Sequence, residues 1–202
     1  MEKKEIQEQR MKGYFVQATK ELLKGEGLKS ISVRNIAERA GYSYATLYNY
    51  FKDVKDLIFE CVKDFQDECE AYVKQETKIC MNGPEKIKGI TKAYVKFFVQ
   101  YPGIFELFYL EKMSSIESKQ HTSELICSFP DRLCELEWNA CIKQKLLTAE
   151  DAEIIKTELN YLTSGMLLHY LNRRIPSSYN EFIKTMELQI TNVLNKIPLQ
   201  GK

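Results

Sequence analysis

The chain has 202 residues, of which 44% are hydrophobic and 28% charged, a balance that excludes a disordered polymer and leaves room for a sizeable core. A net charge of +1 excludes a uniformly basic nucleic-acid coat. The apolar runs are all broken by Lys, Glu or Gln, and the N-terminus has no apolar signal region, so the expectation is a cytoplasmic protein with no membrane partner.

Charge is unevenly placed. Residues 1–55 hold eleven Lys/Arg against seven acids, net +4, and the remainder is net −3, which suits a DNA-facing head on a neutral or acidic body. Nine glycines and five prolines, without many short alternating runs, predict a mostly helical fold. The first helix is expected over about Lys3 to Lys24, with Met11, Tyr14, Phe15, Ala18, Leu22 and Leu23 on its apolar face and Gly25 with Gly27 as its stop. Lys12, or Lys3 with Lys4, lies either on a solvated face or within reach of phosphate. In Ser32–Phe51, Val33, Ile36, Ala37 and Ala40 follow one helical face, Gly41 interrupts, and a second short amphipathic run begins. Ser32 and Ser43 are natural N-caps for the two helices, and Gly41 suits a left-handed turn. This is a helix-turn-helix pattern, whose second helix enters the major groove of DNA.

The string SVRNIAERAGYSYATLYNYF, preceded by Ala18, Leu22, Leu23, Gly27 and Ser30 and followed by Asp56-Leu57, resembles the DNA-binding domain of TetR-family transcriptional regulators. The likeness extends over about Arg10 to Leu57. It implies that Tyr44, Ala45 and Thr46 read bases and phosphates from the start of the third helix, and that Tyr48 bonds phosphate. Arg34 matches a position that touches phosphate or a base; as a bare sequence feature it equally fits a surface pair with Glu38. Asn49 can bridge the N6 and N7 edge of adenine. Ser43, Tyr50 and Lys55 complete the candidate DNA-contacting set. The family's phosphate-anchoring lysine falls here on Val54, leaving Lys55 or Lys52 as possible replacements.

Asp53 is expected to cap a fourth helix running to about Cys80, long enough to act as a lever. Asn82-Gly83-Pro84 breaks the chain before a helix that carries Ile87, Ile90, Tyr94, Phe97, Phe98 and Tyr101. Ile104–Leu110 reads as a buried helix, and Met113–Ser128, polar and Ser-rich, as a loop or mobile segment. Another helix is predicted from Ser128–Pro130 to about Leu146. Thr148 and Asp151 resemble a capping box, opening a helix that ends at Asn172-Arg173-Arg174. Ser178–Ile197 closes the chain as the final helix.

No Gly-rich phosphate loop, His-Glu-x-x-His, nucleophile elbow or zinc spacing occurs, so no enzyme activity, cofactor or metal is expected. The six cysteines form no C-x-x-C pair and read as reduced thiols. Cys134 and Cys141, seven apart, fit a thiol sensor or two buried small hydrophobes. Phe65, Phe98, Phe105, Phe108, Tyr109, Trp138 and Tyr161, with His169, are candidate walls of an inducer pocket; an aromatic stripe equally fits ordinary core, and His169 a satisfied core or interface histidine.

The expectation is thus an all-α protein, with an N-terminal three-helix helix-turn-helix DNA-binding domain over 1–52 and a larger helical ligand-binding and dimerisation domain over 53–202. The resemblance implies a homodimer joined through the last two long helices. That dimer would bind a palindromic double-stranded operator as a repressor and be released by a small-molecule inducer. The alternative is a helical small-molecule-binding or catalytic protein with a vestigial helix-turn-helix.

Overall fold

The structure, a computed structural model, describes residues 3–77, 82–112, 121–172 and 175–197. It is all-α, with an N-terminal three-helix helix-turn-helix domain and a larger helical part; the described residues contain no strand. Two compact units emerge, one from Met1–Asp67 with Tyr101–Cys127, the other from Glu68–Gln100 with Ser128–Lys202.

In the first unit, α1 (Lys3–Glu26) runs slightly past its expected end because Gly25 stays helical. The chain turns instead at Gly27, whose φ of 79° and ψ of −178° is a region open essentially to glycine alone. Helices α2 (Val33–Ala40) and α3 (Tyr44–Tyr48) follow, joined through Gly41 in the left-handed conformation at φ 77°. Phe15, Leu22, Ile36, Leu47, Phe51 and Leu57 form the buried core beneath them. Full burial of one such side chain stabilises by about 1.5–3 kcal/mol, so these contacts set the angle of α3. Tyr14 departs from the expected apolar face: it is half exposed and stacks on Tyr42 with ring centroids 6.0 Å apart. The buried seam of α1 passes through Phe15, Ala18 and Leu22 and leaves Tyr14 at its rim.

Asp53 caps α4 (Val54–Glu76), its Oδ1 accepting from the Asp56 amide at 3.0 Å. Cys80, the expected end of that helix, lies outside the described residues. The Ile104–Leu110 segment is α6 (Pro102–Phe105) widening into a π turn over Glu106–Leu110, closed by the Glu111 amide on the Glu106 carbonyl at 3.0 Å. Gly103, Ile104, Phe105, Leu107 and Phe108 are buried, but Glu106 and Leu110 face solvent. Part of Met113–Ser128 is helical rather than loop: Thr122–Cys127 is α7, anchored by buried Thr122 and Ile126 one turn apart. Residues 113–120 of that expectation lie outside the described set.

In the second unit, α5 (Pro84–Gln100) buries Ile87, Ile90, Ala93, Tyr94, Val95 and Phe98 around most of its circumference, the pattern of a helix with neighbours on several sides. Packed on it are α8 (Phe129–Leu133), α9 (Glu135–Lys143), α10 (Ala149–Leu171) and α11 (Tyr179–Leu194). The single helix expected from Ser128 to Leu146 is broken at Cys134, where φ is −107° and ψ 6°. A straight helix would set Phe129 and Cys134, five residues apart, about 140° from each other; the break lets both be buried. The capping box of α10 forms with Asp151 in the third position: the Asp151 amide donates to Thr148 Oγ1 at 3.1 Å and the Thr148 amide to Asp151 Oδ2 at 3.2 Å. That helix ends at Leu171; Arg173 and Arg174 lie outside the described residues.

Candidate nucleic-acid interface

The second short helix is built to display one face. Ser43 Oγ accepts from the Thr46 amide at 3.2 Å and lies 2.9 Å from Thr46 Oγ1, so the cap and the first turn share a polar edge. Leu47 and Phe51 point into the core. Their burial leaves Tyr44, Ala45, Tyr48 and Asn49 exposed and Thr46 and Tyr50 half-buried, three phenols, an aliphatic hydroxyl and an amide on a narrow convex surface. Such groups suit phosphate oxygens and base edges, which are read mainly by hydrogen bonding.

Around this face, Arg34 is exposed on the first turn of α2, and among the described residues it has no ion-pair partner. Glu38 does not take it; the acid-paired arginine of α2 is Arg39, bound to Glu26 at 2.5 Å. Lys52 is exposed just before α4, and Lys55 is half-buried on its first turn. Val54 packs against the core of the head, which is why its position presents no cation. Tyr42, half exposed on the turn between α2 and α3, was not singled out by the sequence pattern; with Tyr14 it extends the aromatic rim beside the helix.

The candidate pocket residues divide between the two units. Phe65, Phe105, Phe108 and Tyr109 belong to the first. There Lys20 and Lys24 lie over the Phe65 ring at 5.8 and 5.7 Å, and Phe105 stacks on Tyr109 at 5.1 Å. Phe98, Trp138, Tyr161 and His169 belong to the second. Phe98 is edge-on to Tyr94 at 4.9 Å, whereas Tyr161 and His169 are exposed on α10.

Within the second unit lies a small cavity of about 20 Å³, the room one water needs. Trp138 is the candidate aromatic that lines it, beside Tyr94, Thr91, Asp131, Cys134 and Asn160. Burial pushes the Asp131 carboxyl above its usual range, opposed by the Asn160 hydrogen bond and the Lys156 charge. Burial, reinforced by Asp131 and Glu137, pushes the Cys134 thiol up to about 12. Cys141 is likewise buried and raised. Both therefore stay protonated at neutral pH, the state of packed thiols rather than reactive ones. The polar lining was legible in part: Lys156, Asn160 and Thr163 recur at helical spacing beside Leu159, a polar stripe on a face otherwise apolar.

Residues 15–61 match the family of bacterial regulatory proteins described as the tetR family. No curated protein matches the chain. Among solved structures, a TetR family transcription regulator from Marinobacter aquaeolei VT8 superposes with a TM-score of 0.66 at 16% identity, covering 96% of this chain and 98% of that one. RolR in complex with resorcinol gives 0.68 at 13% identity, covering 96% and 90%. A protein from Saccharomonospora viridis in complex with choline gives 0.69 at 16% identity, covering 93% and 96%. At these identities the likeness establishes a shared fold over nearly the whole chain.

Proposed function

Because the chain belongs, through its N-terminal domain, to the TetR family of bacterial regulatory proteins, we propose that it is a ligand-responsive transcriptional repressor. In this reading residues 1–52 bind DNA and 53–202 bind ligand and dimerise. The observation that carries it is the α3 surface, where Tyr44, Ala45, Tyr48 and Asn49 are exposed on a helix fixed from behind by Leu47 and Phe51. A homodimer would place two such helices about 34–36 Å apart, in successive major grooves of a palindromic operator.

Ligand control is supported by the cavity of the second unit and by the resorcinol and choline held by two proteins of the same fold. An inducer releases DNA only by binding the DNA-incompetent arrangement more tightly, and α4 is the lever through which this chain would couple the two. Dimerisation through α10 and α11 is supported by Ile154, Tyr161 and Leu168, all exposed and seven residues apart on α10, with exposed Leu188 on α11. A seven-residue interval drifts only about 20° around a helix, so the three α10 side chains share a stripe. Ser164 and Gly165 beside it permit close helix approach.

The test is fluorescence anisotropy with duplexes from the promoter flanking the protein's own coding region, across a salt series. Thr46→Ala and Tyr44→Ala are expected to lose about tenfold or more in preference for the operator over scrambled DNA. Tyr48→Phe and Lys55→Ala should weaken both DNAs alike, with Lys55→Ala lowering the salt slope by about one. Unchanged operator binding in all four variants would overturn the assignment.

A further inference from the structure

The cavity of the second unit has a polarity of its own. Asp131 is the carboxylate in its lining, and it accepts from Asn160 Nδ2 at 3.4 Å, close to the limit of a hydrogen bond. The cation in the same wall, Lys156, pairs its Nζ with Glu153 at 2.6 Å, so it acts on Asp131 through its charge and not through a hydrogen bond. Thr91 and Thr163 donate their hydroxyl protons to the carbonyls of Ile87 and Leu159, each at 2.8 Å. What these two hydroxyls offer the cavity is lone pairs. Tyr94 and Trp138 supply aromatic surface.

We propose that this cavity binds a small organic ammonium ion, with the charged nitrogen against Asp131 and the carbon skeleton against Tyr94 and Trp138. A half-buried carboxylate with one long hydrogen bond is improved by a donor that also carries positive charge, and aromatic rings attract the same cation through their electron-rich faces. Asp131, Lys156 and Glu153 together carry one net negative charge, which a monocation neutralises. An anion would meet Asp131 directly, and a neutral alkane or ether would leave its carboxylate no better paired. The cavity of about 20 Å³ admits the alkyl body only if side chains in the wall move apart, so binding is coupled to repacking among α5, α8, α9 and α10.

The proposal rests on the second unit being the ligand-responsive part of a regulator, and separate readouts test the two. Trp138 is the only tryptophan of the chain, so its emission reports on the cavity. The full chain is titrated at neutral pH with isobutylamine, which is protonated there, and with isobutanol and isobutyrate. The expected result is a saturable change in emission with the amine, at concentrations at least tenfold below any response to isobutanol, and no saturable change with isobutyrate. Asp131→Asn should abolish the amine response and Asp131→Glu retain it, while Lys156→Met, lacking the competing cation, should tighten it. Equal response to isobutanol, an unchanged titration in Asp131→Asn, or no saturable change with the amine overturns the site. Should Asp131→Asn fail to fold, as read by circular dichroism, the ordering of the parent, Asp131→Glu and Lys156→Met decides. Operator binding is measured in parallel. Amine binding without DNA binding leaves the site standing and removes the regulatory reading; DNA binding without an amine response removes only the site.

Discussion

Gly103 sits where no side chain fits. A Cβ there would lie 2.0 Å from the Leu23 carbonyl oxygen and 3.1 Å from the Gly27 Cα, both backbone atoms that cannot swing aside. Gly103→Ala should therefore lower stability by about 1–3 kcal/mol, the cost of overpacking a close contact, read as a lower urea midpoint; an unchanged midpoint would show that α6 lifts from α1 at no cost. Asp131 makes the opposite kind of prediction. Its folded pKa is raised by burial and by the Glu153 charge, which together outweigh the Asn160 hydrogen bond and the Lys156 charge. Its contribution to stability is thus present at low pH and lost as pH rises through the raised value. Asp131→Asn should melt at least as high as the parent at pH 7, and that advantage should shrink at low pH; a variant less stable at pH 7 than at low pH, relative to the parent, would contradict the sign. At this scale the sequence is a good guide where chemistry is local. Ser32, Ser43 and Thr148 are visible as caps because each bonds an amide three residues on, whereas the tightness at Gly103 arises from residues some 80 positions away.

Helices are legible to the extent that their ends are. The capping box of α10 lowers the Asp151 carboxyl below its usual range, through the Thr148 hydroxyl first and the Thr148 amide second. A lowered carboxylate contributes stability above the ordinary range and loses it as pH falls through the lowered value. Replacing Thr148 by Ala should cost about 1 kcal/mol, as for other N-caps, at neutral pH. In paired melting curves that difference should narrow as pH falls through the lowered Asp151 value; a constant difference across pH would assign the loss to the hydroxyl alone. Interruptions inside helices were not readable in this way. The break at Cys134 and the π turn over Glu106–Leu110 carry no Gly or Pro at the point of departure. They follow from which side chains must reach a core, a requirement set by neighbouring helices.

For the molecule as a whole, the sharpest question is what covers the α10 stripe. If it joins two copies, Tyr161→Glu should halve the mass measured by sedimentation equilibrium and weaken operator binding steeply, while leaving helical content unchanged. A monomeric parent, or a variant that keeps its dimer, would remove α10 from the interface. The charge division, +4 over residues 1–55 and −3 over the rest, favours the head as the DNA-facing end, in agreement with the exposed α3.

The sequence by itself determined the all-α class and the helix-turn-helix. Both are encoded within short contiguous runs, through 3.6-residue periodicity, N-caps and a glycine turn, and need no knowledge of what lies across the fold. It also marked the aromatic residues, without saying which of them would meet. Only the tertiary structure decided that Trp138, and not Tyr161 or His169, lines a cavity, and that Asp131, Thr91 and Asn160 join it there. Those groups come from four different helices, spread over residues 91–160. Alpha10 is apolar on more than one side, with Ile155 and Leu159 buried while Ile154 and Tyr161 are exposed. Periodicity cannot choose between such faces, because the choice belongs to the helices packed against them.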